Sequence, residues 1–384
     1  MNILMAEHTH FDALMPVGCH HIARGLAKRG HKVTYISTCV TPFHLGNLFG
    51  SKNGETQKRF SNWTVGGEEQ GNGIVSYVPL SILPFRRNPL LDNRFAARNH
   101  CLWTLPSLTG WIKQHGPHDA FLIGDPRFVP LVDKLKIPLN ILRLTDNLMG
   151  FEDVPRSMKT LLELGREKCG QLVVTSKPLG DLMEKDYGFK NISYVPNGVD
   201  FERFSEDSND VPEDLKNIPE PRAVYVGAID HWFDRDLMLS LARKLPKVSF
   251  ILIGPPRIDL SVLQKVSNIH ILGSRPYGTI PAYLSACQVG IIPFQNNELI
   301  RSVSPLKLYE YMACGLPVVS TEWEEVKALG SPAILAKDPD SFAVGLEKVL
   351  GGNKSRKEFQ DFAKANSWDD RVDKILGVIA GKKS

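Results

Sequence analysis

Short apolar runs alternate with segments of helical periodicity through the first half of the chain. The runs that we interpret as buried strands read NILMAE, HKVTYIS, DAFLIGD, NILRLTD and LVVTS. Between the first two, GCHHIARGLAKRG repeats apolar residues at helical spacing, and Gly30 ends that helix. The segment SMKTLLELGREKCG shows the same periodicity. A strand–helix–strand order of this kind predicts a parallel sheet covered by helices.

The pattern breaks at YVPNGVDFERF and then restarts. Asn197 and Gly198 beside Pro196 form a strong turn signal, and residues 204–222 are polar and contain prolines. The later strands read RAVYVGAI, VSFILIG, IHILGS, VGIIPF and LPVVS, separated by helical patterns in DRDLMLSLARKLP, DLSVLQKV and YGTIPAYLSAC. The last segment, NSWDDRVDKILGVIAGKK, is an amphipathic helix with a basic tail. This organisation predicts two consecutive Rossmann-like domains with a cleft between them, and ligands bind at the carboxyl ends of such strands.

One helix of the second domain carries a cation where helices disfavour it. In SPLKLYEYMACG, Ser304 suits the N-cap and Pro305 the first helical position, which places Lys307 in the first turn. Because a helix N-terminus has partial positive charge and free N–H groups, a lysine there is locally unfavourable unless an anion such as a phosphate docks beside it. The alternative is that Lys307 extends into water.

Composition places the chain among ordinary globular proteins. Its 384 residues exceed what one hydrophobic core usually supports, which agrees with two domains. Six dispersed cysteines form no CxxC pair, which favours reduced thiols in a cytoplasm and argues against structural zinc. We find no apolar run of transmembrane length and no signal peptide after Met1, so we expect a cytoplasmic protein. The net charge is +4, and the basic excess lies in the first hundred residues.

These motifs resemble GT-B glycosyltransferases of the family 4 type, including enzymes of the teichuronic acid pathway (the TuaH type), and are also similar to the glucuronosyltransferase of xanthan synthesis (the GumK type). The resemblance rests on PNGVD, VYVGAIDHWFD, LIGPP, LGSRPYGTIPAYLSACQVGIIPF and SPLKLYEYMACGLPVV, which follow in that family's order. It implies a GT-B fold with an acceptor domain at 1–196, a nucleotide-sugar donor domain at 197–365, and a C-terminal helix at 366–384 that crosses back to the first domain.

The same resemblance assigns the donor site. Lys307 would contact the diphosphate of the donor, and Glu310 would accept hydrogen bonds from its ribose hydroxyls. The two residues are three apart and share a helix face; the alternative is a simple pair within the helix. We expect the remaining donor-site residues to be Gly227, Arg275, Arg301 and Ser304.

The chain departs from the family pattern in two ways. The first glutamate of the family's Glu–seven residues–Glu motif falls on Ser302, which puts retaining chemistry in doubt. The basic pair that usually follows the first strand of the second domain is absent from GAIDHWFD. We find no DxD motif near the site, so we expect catalysis without a metal and without any other cofactor, with basic residues stabilising the diphosphate as it leaves.

An inverting transfer needs a base to take the proton of the acceptor hydroxyl. Asp146 follows the strand NILRLTD and matches the proposed base of GumK-like enzymes; Asp125, after DAFLIGD, is similarly placed. Either could instead be a cap or turn former. The loop EHTHFDALMPVG places three further residues, His8, His10 and Asp12, near the acceptor, with Gly18 at the start of the next helix. Adjacent His20 and His21 point to different helix faces and make a poor metal site.

The segment from residue 78 to 112 mixes Leu, Phe and Trp with four arginines, Arg86, Arg87, Arg94 and Arg98. A basic and apolar stretch of this kind fits either an anionic membrane surface or an ordinary solvated helix. Enzymes like GumK act on polyprenyl-diphosphate-linked sugars, so the resemblance implies a peripheral role at the inner face of the plasma membrane. The aromatic residues are not interleaved with the basic ones as a nucleic-acid platform requires.

These observations predict a glycosyltransferase that moves a sugar from a UDP-sugar, with UDP-glucuronate as one option, to a glycan or lipid-linked glycan. We expect inversion with Asp146 as general base. Two alternatives stay open: a UDP-sugar epimerase or hydrolase of GT-B fold, which would turn over donor without acceptor, and a retaining transferase of the family 4 type. A nucleotide- or nucleic-acid-binding protein without enzymatic activity is a third reading. The absence of a P-loop or a clear GxGxxG motif makes ATPase and dehydrogenase activities weak candidates.

Overall fold

The computed structural model of this protein describes residues 1–13, 16–47, 54–206, 210–352 and 355–381. The chain forms two compact units, the first made of residues 1–196 with 371–384 and the second of residues 197–370. The last three residues of the basic tail, 382–384, lie outside the described residues.

The first unit is built on a twisted sheet of parallel strands with one antiparallel edge. Its order is β10-β9-β8-β7-β1-β2-β4-β3, where β3 runs antiparallel to β4 and a separate pair, β5 and β6, lies outside the sheet. The strands are β1 Asn2–Glu7, β2 Lys32–Ser37, β3 Glu68–Glu69, β4 Ile74–Tyr77, β5 Leu80–Ser81, β6 Thr104–Leu105, β7 Ala120–Ile123, β8 Leu139–Leu144, β9 Gln171–Val174 and β10 Ile192–Tyr194. The central strand β1 is buried from Ile3 to Glu7 because helices cover both faces of a parallel sheet.

The helices of this unit follow most of its strands and include the two that the apolar periodicity predicts, in residues 18–30 and 157–170. They are α1 Gly18–Lys28, α2 Glu55–Val65, α3 Arg94–Asn99, α4 Leu108–Gln114, α5 Val132–Leu135, α6 Met158–Lys168 and α7 Lys177–Tyr187. The predicted apolar face of α1 is buried, and Gly30 adopts φ +79° just after that helix, as its terminating role requires.

The second unit repeats the parallel arrangement with the order β13-β12-β11-β14-β15-β16. Its strands are β11 Arg222–Val226, β12 Ser249–Ile253, β13 Ile269–Gly273, β14 Val289–Ile292, β15 Val318–Thr321 and β16 Ile334–Ala336. The order changes direction beside β11, where β12 lies on one side and β14 on the other. Such a switch point leaves a crevice at the carboxyl ends of the strands, where ligands of doubly wound sheets bind.

The helices of the second unit are α8 Phe201–Ser205, α9 Arg235–Lys244, α10 Ile280–Ser285, α11 Glu298–Arg301, α12 Leu306–Ala313, α13 Glu324–Ala328, α14 Pro339–Leu350 and α15 Arg356–Ala365, followed by α16 Trp368–Ile379, whose residues from 371 belong to the first unit. The prediction of two Rossmann-like α/β units is confirmed. The helix expected in DLSVLQKV is wrong, since only a 3-10 turn at Leu263–Lys265 forms there.

Candidate functional site

In the second unit, Gly227 and Lys307 meet at the end of the central strand β11. Gly227 follows β11 directly and has φ +140°, a conformation that side chains rarely adopt. A Cβ atom at Gly227 would lie 2.5 Å from Lys307 Cε and 2.8 Å from Lys307 Nζ. The missing side chain therefore makes room for the lysine to fold back against the backbone of this loop.

The Lys307 ammonium lies among aromatic rings rather than beside an acid. Its Nζ is 5.4 Å from the centroid of the Tyr225 ring and 5.2 Å from that of Phe294. Among the residues that the structure describes, none forms a hydrogen bond or ion pair with this atom. Burial lowers the pKa of Lys307 from 10.5 to about 8, and the charge of Glu310 opposes that effect only in part. An ammonium held half-buried without an anion is chemically suited to receive one.

Glu310 lies one turn further along α12 and is held by a tyrosine. Tyr277 Oη donates a hydrogen bond to Glu310 Oε1 at 3.0 Å. Burial raises the pKa of Glu310, while the Tyr277 hydrogen bond and the Lys307 charge lower it. The helix thus presents a cation for phosphate and a carboxylate acceptor within one turn, as the spacing of the two residues predicts.

The helix start differs from the prediction in one respect. Ser304 is not the N-cap; Pro305 occupies that position, the helix begins at Leu306, and Lys307 is therefore its second residue rather than its third. The physical reason is that Ser304 is engaged elsewhere. Its Oγ accepts from the backbone N–H of Asn197 at 3.2 Å, and its carbonyl accepts from Asn197 Nδ2 at 2.9 Å.

The two other predicted cations of this unit are already paired. Arg275 donates to Asp214 Oδ2 from Nε and Nη2 at 3.1 and 2.5 Å, and also to Tyr283 Oη and two backbone carbonyls. Arg301 is exposed and donates to Glu324 Oε2 at 2.7 Å. Carboxylates thus occupy both guanidinium groups, whereas the Lys307 ammonium has no carboxylate partner among the described residues.

The first unit contains a pocket of about 700 Å³ at the carboxyl ends of β7 and β8. It is lined by His8, Phe85, Arg86, Arg87, Gly124, Asp125, Pro126, Arg127, Leu144, Thr145, Asp146, Leu148, Phe151, Asp153, Val154, Pro155 and Met158. Both predicted carboxylates are therefore present, as parallel strand ends bring them to one edge. We refer to this cavity as the Asp146 pocket.

The two carboxylates differ in what surrounds them. Asp125 is only 3% exposed, and Arg127 donates to both of its oxygens from Nε at 2.9 and 2.8 Å. The backbone N–H of Arg127 adds a third bond, as a cap of the following 3-10 turn. These contacts hold the pKa of Asp125 below its ordinary value. A carboxylate so engaged is a poor proton acceptor, so the geometry supports the capping alternative for Asp125.

Asp146 is half-buried in the pocket wall, two residues after the end of β8. Its carboxylate makes no hydrogen bond and no ion pair with the residues that the structure describes. His8 lines the same pocket; desolvation there lowers its pKa, while the charges of Asp125 and Asp146 oppose that change. Of the two predicted bases, Asp146 is the one whose oxygens are available.

Three further predicted acceptor residues do not line the pocket. His10 is 4% exposed and both its ring nitrogens are enclosed, so direct contact with an acceptor is not possible in this structure. Its carbonyl accepts from His20 Nε2 at 2.8 Å. Asp12 Oδ2 accepts from Gln70 Nε2 at 3.1 Å, and Gly18 is buried as the first residue of α1. His8 alone of this group reaches the Asp146 pocket.

The four arginines of the basic segment are all exposed, but they lie in different places. Arg86 and Arg87 line the Asp146 pocket, and the Arg86 guanidinium lies 5.6 Å from the Phe43 ring centroid. Arg94 and Arg98 lie on the short helix α3.

Sequence reasoning missed the residues that hold the predicted ones. Tyr277, Tyr225 and Phe294 surround the α12 side chains, and Arg127 neutralises Asp125. The only available signal was position, since Tyr277 and Phe294 follow the strands β13 and β14 in the chain.

The described ranges of the chain contain neither a cluster of metal-binding side chains nor a membrane-spanning helix. No group of three or more His, Cys, Asp or Glu side chains there is arranged to hold a metal ion. No helix there combines the length and apolarity that crossing a membrane requires.

Comparisons with known proteins agree with the motifs. Residues 220–351, which lie in the second unit, match the family model of glycosyl transferases group 1. The teichuronic acid biosynthesis glycosyltransferase TuaH of Bacillus subtilis (strain 168) is 26% identical over 194 residues. That alignment covers 47% of this chain and 49% of TuaH, so the chain matches about half the length of this relative.

Solved structures share the fold over nearly the whole chain. Sucrose-phosphate synthase from Thermosynechococcus elongatus has a TM-score of 0.71 at 14% identity, covering 99% of this chain and 98% of that one. Anabaena Alr3699/HepE in complex with UDP and glucose has a TM-score of 0.65 at 13% identity, covering 98% and 99%. At such identities the likeness establishes the GT-B fold.

Proposed function

We propose that this chain, which carries a glycosyl transferases group 1 domain at residues 220–351 within a GT-B fold, transfers a sugar from a UDP-sugar to a glycan or lipid-linked glycan acceptor. The observation that carries the proposal is the Lys307 ammonium, held without an anionic partner among the described residues. It lies against Gly227 at the end of the central strand, in the matched domain. UDP as the nucleotide is supported by Anabaena Alr3699/HepE, whose structures contain UDP and UDP-glucose.

In this mechanism the donor diphosphate binds at the N-terminus of α12. The Lys307 ammonium and the partial positive charge of the helix N-terminus stabilise the negative charge that grows as the diphosphate leaves. Glu310 accepts hydrogen bonds from the ribose hydroxyls. These groups act without a metal ion, and the reaction needs no further cofactor.

Asp146 is the general base of the proposed reaction. The acceptor hydroxyl oxygen forms a bond to the anomeric carbon while the bond from that carbon to the diphosphate oxygen breaks, and Asp146 takes the hydroxyl proton. Inversion is supported by Ser302, which stands where a family 4 enzyme has its first glutamate. A serine offers no carboxylate at this position, and the buried Ser302 hydroxyl donates to the Leu299 carbonyl.

The acceptor is proposed to bind in the Asp146 pocket. Its apolar wall includes Phe85, Phe151 and Met158, and its basic residues Arg86 and Arg87 make no ion pair with a described residue. This mixture supports an acceptor with both an apolar and an anionic part, such as a polyprenyl-diphosphate-linked sugar. A glucuronosyl donor remains part of the proposal through the GumK resemblance.

We also propose a peripheral location at the cytoplasmic face of the plasma membrane. Beside the four arginines, five large apolar side chains of the same segment are exposed: Ile82 by 48%, Leu90 by 84%, Phe95 by 56%, Trp103 by 44% and Leu105 by 54%. Exposed aromatic and aliphatic groups among cations are typical of surfaces that bind anionic bilayers.

The first experiment titrates UDP and GDP into the protein by calorimetry and then supplies UDP-sugars with and without lipid-linked acceptors. Sugar transfer with release of UDP supports the proposal, and the anomeric configuration of the product reports inversion. UDP release without any acceptor would instead favour a hydrolase. If neither nucleotide binds, the proposed donor site is wrong.

The role of Asp146 is tested by Asp146→Asn, with Asp153→Asn in the same pocket as the matched control. Loss of the base should lower kcat by about 10²- to 10⁴-fold and leave UDP affinity unchanged. Equal rates for the two variants would exclude Asp146 as the base.

A further inference from the structure

Three separate segments of the second unit surround the contact between Tyr277 and Glu310. The first is α12, which carries it; the second is the 3-10 turn Tyr277–Thr279 after β13; the third is the segment 197–204, which contains most of the PNGVDFERF motif.

The contact between Tyr277 and Glu310 leaves one carboxylate oxygen free of described partners. Tyr277 Oη donates to Oε1 at 3.0 Å, and no hydrogen bond from a described residue reaches Oε2. Burial and the neighbouring Glu310 charge raise the pKa of Tyr277, so its hydroxyl stays protonated and acts as a donor. The arrangement orients the carboxylate and exposes one face of it to a ligand hydroxyl.

The Tyr277 ring is itself held in place by the 197–204 segment. The Phe204 ring meets it edge to face at 5.6 Å between centroids, and the Arg203 guanidinium lies 5.5 Å from its centroid. Arg203 Nε in turn donates to Asp200 Oδ2 at 3.1 Å. Asn197, at the start of this segment, binds Ser304 just before α12. The motif therefore ties the tyrosine and the helix start together.

We propose that Tyr277 is a positioning residue that fixes the Glu310 carboxylate as a reader of the ribose diol, so that the site selects ribonucleotides over 2′-deoxyribonucleotides. This inference rests on the proposed function, since it assumes a nucleotide at α12. The hydroxyl of Tyr277 acts through Glu310 and does not itself need to touch the ligand. A vicinal diol offers two donors, and a carboxylate with a fixed orientation accepts from them better than a rotating one.

The test is a double-mutant cycle measured by calorimetry with two probes, UDP and 2′-deoxy-UDP. The variants are Tyr277→Phe, Glu310→Gln and the double variant, with thermal melting to confirm that each is folded. Tyr283→Phe is the matched control, because the Tyr283 hydroxyl bonds Asp214 instead of Glu310. Neither single substitution changes the size of the side chain greatly.

We expect the wild type to prefer UDP by about tenfold or more, which is the low end for a hydrogen bond to a charged group. Tyr277→Phe should reduce that preference to about threefold or less, and Glu310→Gln should reduce it similarly. In the Glu310→Gln background, Tyr277→Phe should change nothing further, since residues that act through one another are not additive. Tyr283→Phe should keep the wild-type preference.

Two results would overturn the inference while leaving the proposed function intact: UDP binds, but Tyr277→Phe keeps the wild-type preference, or the two substitutions act additively. A wild type that binds both probes equally overturns it as well. If the wild type does not bind UDP at all, the proposed function is wrong, and so is the inference that rests on it.

Discussion

Replacement of Lys307 by methionine tests two consequences of a cation held without an anion: its attraction for the UDP diphosphate and its cost to the stability of the fold. Methionine keeps an unbranched apolar chain of similar length against Gly227, Tyr225 and Phe294 but removes the charge. We expect the variant to bind UDP more weakly and yet to be more stable than the wild type. Few substitutions outside a binding site would give both effects, because most substitutions destabilise.

The expected gain in stability follows from the pKa of Lys307. That pKa is about 8 in the folded chain and 10.5 ordinarily, so at 1.36 kcal/mol per unit the folded protein holds this charge at a cost of roughly 3 kcal/mol. Removal of the two cation–π contacts offsets about 1–2 kcal/mol of this. The net increase in the free energy of unfolding at pH 7 is therefore about 1–2 kcal/mol.

The titration of Lys307 makes the stability of the wild type depend on pH. The folded-state pKa lies below the unfolded one, so between about pH 8 and pH 10.5 the unfolded chain binds more protons. The cost is therefore present in full below pH 8, and it disappears as the pH rises to 10.5. Wild-type affinity for UDP should also fall above pH 8, because only the ammonium form attracts the diphosphate.

The expected loss of UDP affinity in Lys307→Met is about tenfold to hundredfold, from ~1.5–3 kcal/mol for a charge-assisted contact. Calorimetric titration at pH 7 and pH 9 measures the affinity, and urea unfolding at the same values measures stability. Lys265→Met, at an exposed position of the same unit, is the control and should change neither. If Lys307→Met binds UDP as the wild type does, Lys307 is not the diphosphate ligand; if it is also less stable, the account of the buried charge is wrong.

The remaining predictions concern the loop glycine, the second carboxylate and the basic segment. Gly227→Ala should reduce UDP affinity and stability together, because its Cβ would lie 2.5 Å from Lys307 Cε; unchanged calorimetry and melting would contradict the packing. Asp125→Asn should lower the free energy of unfolding in urea by about 2–4 kcal/mol, because it leaves the Arg127 charge without its partner. Its kcat at a permissive temperature should stay within a few-fold of the wild-type value. A loss of kcat like that of Asp146→Asn would instead make Asp125 the base. The pKa of Asp125 is lowered, so its stabilising effect is present at neutral pH and lost as the pH falls through that pKa. Replacing Arg86, Arg87, Arg94 and Arg98 by glutamine should abolish sedimentation with anionic vesicles at low salt; retention by the variant would remove the membrane proposal.

Much of the architecture followed from local pattern. Buried parallel strands read as continuous apolar runs, and helices read as repeats of 3.6 residues, because each element must bury one face or both. The helix with Lys307 and Glu310 on one face could be predicted for the same reason. The helix predicted in DLSVLQKV is wrong, because the apolar spacing suits a helix but only a 3-10 turn at Leu263–Lys265 forms.

Only the tertiary structure determined which charged side chains pair with one another. Arg275 and Lys307 look alike in the sequence as cations near a strand or helix end, but Asp214, 61 residues away, occupies the first and no described carboxylate pairs with the second. Asp125 and Asp146 follow neighbouring strands in the same manner, yet only Asp125 meets an arginine. The sequence by itself determined which residues could carry charge at the strand ends. The fold decided which of those charges stay available for a ligand, because that depends on contacts between residues far apart in the chain.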